Sequence, residues 1–225
     1  MARVTKDHLA RRQEFLDVAR ELFYMKGYEE TSVNDILKIL DLSKGTFYHY
    51  FKSKEELLDE LVVHLTKDIL DIIDKYIDDP AIDAITKLNK IYEISGSYKA
   101  ANKDLIMTLM RTMYSDKNIR MRLKMNRYAM EVIAPIMVRI INQGIEEGVF
   151  NTNYPEDMGE FIFGMGFGLG EKVSQLILGI DEHPENLDKL NRTYDMYQNA
   201  IERLLGAPVG SIQFQAKEIL AKILS

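Results

Sequence analysis

The side chains best suited to chemistry gather in Ser43-Lys44-Gly45-Thr46-Phe47-Tyr48-His49-Tyr50-Phe51-Lys52-Ser53-Lys54. Hydroxyls, an imidazole and three lysines here alternate with two phenylalanines. At about 100° per residue, Phe47 and Phe51 fall on one face of a helix. The opposite face is then Gly45, Thr46 and His49, flanked by Tyr48 and Tyr50. Ser43 is a good N-cap, since its hydroxyl accepts from a free amide of the first turn. The chemistry on offer is hydrogen bonding and positive charge, suited to phosphates and base edges. It is not bond-making chemistry. The four histidines, His8, His49, His64 and His183, are too scattered for a metal site or a catalytic triad. No His-Glu-x-x-His, phosphate-binding glycine loop or Gly-x-Ser-x-Gly occurs. The Glu146-Glu147 pair reads as solvated charge near a helix end. The expectation is therefore no catalytic residue, no metal ligand, no cofactor and no enzyme. The chain has no cysteine, which excludes disulfides and thiolate chemistry.

A helix of two turns cannot stand alone, because nucleation costs too much. The preceding segment supplies its support. In Thr31-Ser32-Val33-Asn34-Asp35-Ile36, Ser32 and Asp35 have capping-box spacing. Val33, Ile36, Leu37 and Leu40 follow as an apolar stripe. Asp41-Leu42 is a tight connection before Ser43. Helix, short turn and short polar-faced helix form a helix-turn-helix, expected at about 32–51. Ser53-Lys54-Glu55-Glu56 then opens a long helix, about 54–76, which ends at Asp78-Asp79-Pro80.

The run Gly27-Tyr28, Thr31-Ser32-Val33, Ile36, Ser43 to Phe51, and Lys54-Glu55-Glu56-Leu57 resembles the N-terminal domain of the TetR family of transcriptional regulators. The likeness covers about the first quarter of the chain, and the remainder is similar in length, helicity and layout. The resemblance implies an all-α protein: a three-helix DNA-binding domain, 1–54, on a larger helical ligand-binding and dimerisation domain, 55–225. Thr46, Tyr48 and His49 are the expected base readers, with Gly45 allowing close approach. Thr31, Ser32, Lys44, Tyr50 and Lys54 are expected at phosphates, and Ser43 belongs to the same contact surface. One such unit spans few base pairs, so a homodimer on a palindromic operator is expected, its two heads about 34–36 Å apart.

Charge distribution agrees with this polarity. The net charge is −6, yet residues 1–54 carry 10 Lys and Arg against 8 Asp and Glu, which leaves −8 on the remainder. Only the N-terminal segment suits a polyanion. No run approaches 18 apolar residues and no secretory signal is visible, so a cytoplasmic protein is expected.

Along the chain, residues 1–5 read as a loose arm, with Arg3 free for a phosphate. Thr5 or Asp7 would cap a first helix that stops at Gly27. Beyond Pro80, helices are expected at about 80–95, 102–114, 117–147, 155–179 and 185–205, with a break at Ser95-Gly96-Ser97. An amphipathic helix is expected at 210–224. Four glycines in Phe161 to Gly170 cost a helix about 0.5–1 kcal/mol each, which suggests close approach of a partner helix or a ligand. By likeness to the family, Gly164, Gly168, Leu169, Val173, Leu176, Tyr194 and Ile201 would form the dimer interface. Seven of the 12 methionines lie from Met107 to Met137, and methionine adapts to irregular apolar space. A pocket for an apolar or aromatic effector is expected at Tyr92, Met110, Met113, Tyr114, Met125, Tyr128, Phe163 and Phe167. The competing class is an all-helical protein–protein adaptor that binds no DNA.

Overall fold

The computed structural model describes residues 2–101, 107 and 110–214, with some side chains, including those of residues 2–7, outside the description. The described residues contain helices and no strand. The helices are α1 (Ala2–Met25), α2 (Val33–Leu40), α3 (Lys44–Tyr50), α4 (Lys54–Ile77), α5 (Ala84–Ala101), α6 (Ile119–Glu146), α7 (Pro155–Leu178) and α8 (Asn186–Leu205). A 3-10 turn, Asp116–Asn118, precedes α6.

The chain forms two compact units. The first comprises Met1–Lys67 and Arg111–Tyr128, and the second comprises Asp68–Met110 and Ala129–Ser225. The first unit thus extends past residue 54 and recruits a later segment. Its core is Phe15, Phe23, Ile36, Phe47, Phe51, Leu57, Leu58 and Leu61, joined by Met121 from the recruited segment. Met121 alone would not hold that segment. Asn118, fully buried, accepts from the Tyr28 amide at 2.6 Å and donates to the Phe23 carbonyl at 3.0 Å. The Glu29 amide donates to the Lys117 carbonyl. Gly27 turns at φ 96°, and a Cβ there would lie 2.8 Å from that of Lys117. The sharp turn and the close approach both require glycine. Ion pairs Lys117–Glu30, Arg120–Glu29 and Lys124 with Glu55 and Asp59 rim the contact.

In the second unit, Ile73, Ile77, Leu88, Ile133, Ile136, Ile140, Ile141, Ile162 and Ile201 form the main core. Gly159 lets α7 approach α6: a Cβ there would fall 2.5 Å from the Ala134 carbonyl oxygen. The chain past α8 is folded back rather than helical. The buried Glu202 carboxylate accepts from the amides of Gly210 and Ile212, Asn89 bonds Ser211 and Gln213, and Phe214 rests on Tyr92, ring centroids 4.1 Å apart.

Several expectations are corrected. Helix α1 begins at Ala2, not after a loose arm, since nothing in Ala-Arg-Val-Thr-Lys breaks a helix. Helix α5 runs through Ser95-Gly96-Ser97, because one mid-helix glycine costs only about 1 kcal/mol. Residues 210–214 are turn and extended chain, since side-chain acceptors and donors take up the amides and carbonyls that a helix would use. The rest of the expected 210–224 helix, from residue 215, lies outside the described residues, as do 102–106, 108 and 109 of the expected 102–114 helix.

Candidate nucleic-acid interface

The local sequence explains why α2 and α3 sit as they do. Ser32 caps α2 with a full capping box, its hydroxyl accepting from the Asp35 amide and its own amide donating to the Asp35 carboxylate. Bonds from Ser32 and Lys26 hold the Asp35 carboxyl well below the usual carboxylate range. Asp41 closes α2 at φ 53°, a left-handed conformation that aspartate tolerates better than most residues. The Leu42 amide bonds the Leu37 carbonyl across the turn. Ser43 then caps α3 by accepting from the Thr46 amide at 3.2 Å, and shares a 3.0 Å bond with the Thr46 hydroxyl.

Helix α3 is fastened from behind. Phe47 and Phe51 are buried, and Phe15 meets both rings edge-on at 5.7 and 5.8 Å. The Arg12 guanidinium donates to the Tyr50 carbonyl at 2.8 Å, lies over the Phe51 ring at 4.5 Å and grips both Glu60 carboxylate oxygens. The Glu60 bond also pushes the Arg12 pKa up. With α1 and α4 thus joined to its far end, α3 presents Lys44, Gly45, Tyr48 and His49 to solvent, with Tyr48 59% exposed. A Cβ at Gly45 would meet only Ser43 Oγ, at 3.7 Å, so the surface there is open to close approach.

Two expected phosphate contacts are turned inward. Thr31 is buried, and its hydroxyl donates to the Gly27 carbonyl at 2.7 Å. The Lys54 ammonium donates to the carbonyls of Tyr28 and Thr31 at 2.7 and 2.8 Å and lies 4.1 Å from the Tyr28 ring centroid. Burial lowers its pKa. Both groups tie down the α1–α2 connection, so neither end group is free for a phosphate. The hydroxyls of Ser32 and Ser43 are used as caps. Sequence reasoning did not find Arg12, Asn118 or His8. A cation facing an aromatic and a carboxylate could have signalled Arg12, but nothing local signals Asn118.

The expected pocket residues do not share one cluster. Met113, Met125 and Tyr128 pack on the core of the first unit, and Tyr114 stacks under Arg122. Tyr92 and Phe163 pack on the main core of the second, where Phe167 stacks on Phe163, and Met110 sits beside Val173, Ile177 and Leu190. Helical spacing marks a residue as buried without saying against what. A groove of about 530 Å³ in the second unit is lined instead by Leu70, Asp74, Val132, Pro135, Ile136 and Arg139. Of the expected interface residues, Ile201 is fully buried and Val173 nearly so within their own unit. They belong to the core, because those faces of α7 and α8 meet each other. Gly164, Leu169, Leu176 and Tyr194 are partly buried, and Gly168 is exposed with no neighbour within 4 Å of a built Cβ. Phe161 and Met196, 53% and 62% exposed, lie on the same two helices. Among the described helices, α7 alone is long and apolar enough to cross a membrane, and it packs here on α8 through the Tyr197 hydroxyl, which donates to the Ile162 carbonyl.

A short capped helix, braced on its inner face and polar on its outer, behind a second capped helix and a tight turn, defines a helix-turn-helix DNA-binding protein. Residues 15–61 match the family described as bacterial regulatory proteins, tetR family. The transcriptional repressor KstR2 of Mycobacterium tuberculosis is 28% identical over 165 residues, 70% of this chain and 78% of its own. The regulator YfiR of Bacillus subtilis is 24% identical over 205 residues, 88% of this chain and 96% of its own. The crystal structure of Thermus thermophilus FadR with lauroyl-CoA shares the fold at a TM-score of 0.55 and 20% identity, covering 88% of this chain and 100% of that one. Residues 15–61 are thus similar to the DNA-binding segment of TetR-family transcriptional regulators. The chain is a DNA-binding transcription factor and not an enzyme, and the adaptor alternative is set aside.

Proposed function

We propose that the chain represses transcription as a homodimer, with each α3 in the major groove of one half of a palindromic operator, and that an apolar or aromatic small molecule carrying a polar end releases it. The observation that carries the reading is α3 itself: two buried phenylalanines fix it, and Tyr48 and His49 remain exposed. Tyr48 and Thr46 read base edges, His49 meets the DNA backbone beside them, and Gly45 admits the duplex. Lys44, with the Tyr50 side chain, anchors phosphates. Thr31 and Lys54 act behind this surface by fixing the α1–α2 connection. Residues 1–54 carry the reading surface, and the remaining chain carries effector and dimer contacts. The exposed Phe161, Gly168 and Met196 on α7 and α8 support pairing through that face. The protein works in the cytoplasm, where its DNA is.

The 530 Å³ groove offers apolar walls from Leu70, Val132, Pro135 and Ile136, with Asp74 and Arg139 at hand for a polar end. It suits an amphipathic effector, and the lauroyl-CoA in the FadR structure is of that kind. Effector and operator then oppose each other reciprocally, because each favours a different conformer. The test is fluorescence anisotropy with the DNA upstream of the chain's own gene against scrambled DNA of equal length, at several salt concentrations. Selective, salt-sensitive binding is expected. Failure of ligand-stripped protein on both that DNA and a random-sequence selection would refute the reading.

A further inference from the structure

The fold brings two imidazoles together at the end of α3. The His8 ring, on α1, lies 5.7 Å from the His49 ring, edge-on at 73°. It also lies 4.5 Å from the Tyr50 ring, which His49 meets edge-on at 5.2 Å. His49 is exposed and His8 partly so. Among the described side chains, three carboxylates of α1 and α4 are engaged elsewhere. Glu14 pairs with Arg11 on α1, Glu60 of α4 grips Arg12, and Glu56 of α4 accepts the Lys52 amide. Of the neighbouring cations, Arg11 and Arg12 are therefore neutralised, while Lys44 and Lys52 add positive charge along α3 and the turn after it. Tyr48 and Tyr50 supply neutral phenols.

We propose that His8 and His49 form a single phosphate-binding pair whose charge is set by pH, so that DNA binding draws protons onto the imidazoles and affinity rises as pH falls. The proposal rests on the DNA-binding reading of α3. A phosphate beside the two rings favours their charged forms, and the C-terminal turn of α3, with its carbonyl end, also favours cations. Histidine is the side chain that titrates in the physiological range. By linkage, the slope of log affinity against pH equals the number of protons taken up on binding.

The experiment measures anisotropy of a mixed-sequence duplex of about 30 base pairs, at fixed salt, from about pH 8 to about pH 6. Circular dichroism at each pH confirms that the protein stays folded. The wild type should gain about tenfold in affinity over this range. His8→Gln and His49→Gln should each remove about half of the slope, and the double variant should be flat. His8→Lys, permanently charged, should bind at about pH 8 about threefold more tightly than wild type does at that pH, since His49 still titrates. In parallel, NMR titration of the His8 and His49 Hε1 resonances should give higher pKa values with the duplex bound. An unchanged slope in His8→Gln, even with affinity lowered equally at every pH, would make His8 only a packing residue and overturn the proposal. Unmoved imidazole titrations on adding duplex would do the same. No binding at any pH would overturn the DNA-binding reading itself, and the proposal with it.

Discussion

Replacing Lys54 by Met separates two roles that the sequence alone confuses. As a phosphate anchor, Lys54 would contribute one counterion-releasing contact. Its loss would flatten the dependence of log affinity on log salt by about one unit and leave stability unchanged. The structure assigns the ammonium to the Tyr28 and Thr31 carbonyls instead. A hydrogen bond to a charged donor contributes about 1.5–3 kcal/mol, and a cation over an aromatic face adds about 0.5–1 kcal/mol. Part of this is offset, because burial opposes the charge and lowers the Lys54 pKa. The net loss is about 2 kcal/mol. For a chain of this length, about 2–4 °C per kcal/mol gives a fall in Tm of about 6 °C. Differential scanning calorimetry and anisotropy over a salt series measure the two quantities on one preparation. The expected result is a lower Tm with an unchanged salt slope. A preserved Tm with the slope reduced by about one would refute the reasoning.

Other outcomes follow from the same geometry. Asn118→Ala strands the buried Tyr28 amide, while the Phe23 carbonyl keeps the Gly27 amide, and should cost about 1–3 kcal/mol in urea unfolding. Gly159→Ala places a methyl against the Ala134 carbonyl and should destabilise by about 1–3 kcal/mol, again read by urea. Tyr48→Ala should lower affinity for the operator by about 1–3 kcal/mol while sparing scrambled DNA, measured by competition anisotropy. Burial pushes the Tyr194 and Tyr197 phenols up to about 12. Their folded pKa thus lies above the unfolded value of about 10, so they stabilise the fold below about pH 10. That stability is lost as pH rises towards about 12, as unfolding midpoints and phenolate absorbance across that interval should record.

What was legible in the sequence was local. Ser32 with Asp35, Ser43 with Thr46, and Phe47 with Phe51 act within a few residues, and caps and stripes encode such relations directly. The helix-turn-helix was therefore readable before any coordinates. The recruitment of 111–128 was not, since Asn118 bonds groups ninety or more positions earlier in the chain and reads from the sequence only as the first turn of the expected 117–147 helix. Lys54 shows the same gap in another form: its charge is plain from the sequence, but the destination of a long flexible side chain is not. Met113 and Met110, three residues apart, pack on different cores. Glu202 reads as a surface acid at the end of α8, yet its carboxylate organises the chain that follows.

The discontinuity of the first unit also bears on how the protein is made. A ribosome that has released residues up to Lys67 has not yet supplied Asn118 or Met121, so the nascent reading head lacks the piece that locks the α1–α2 connection. At about 5–20 residues per second, that piece arrives seconds later. By then α5 and the start of α6 have been synthesised, so the head is completed only as its own controlling unit is being built. A translation product that stops short of this point would carry every residue of the reading surface and still lack the brace behind it.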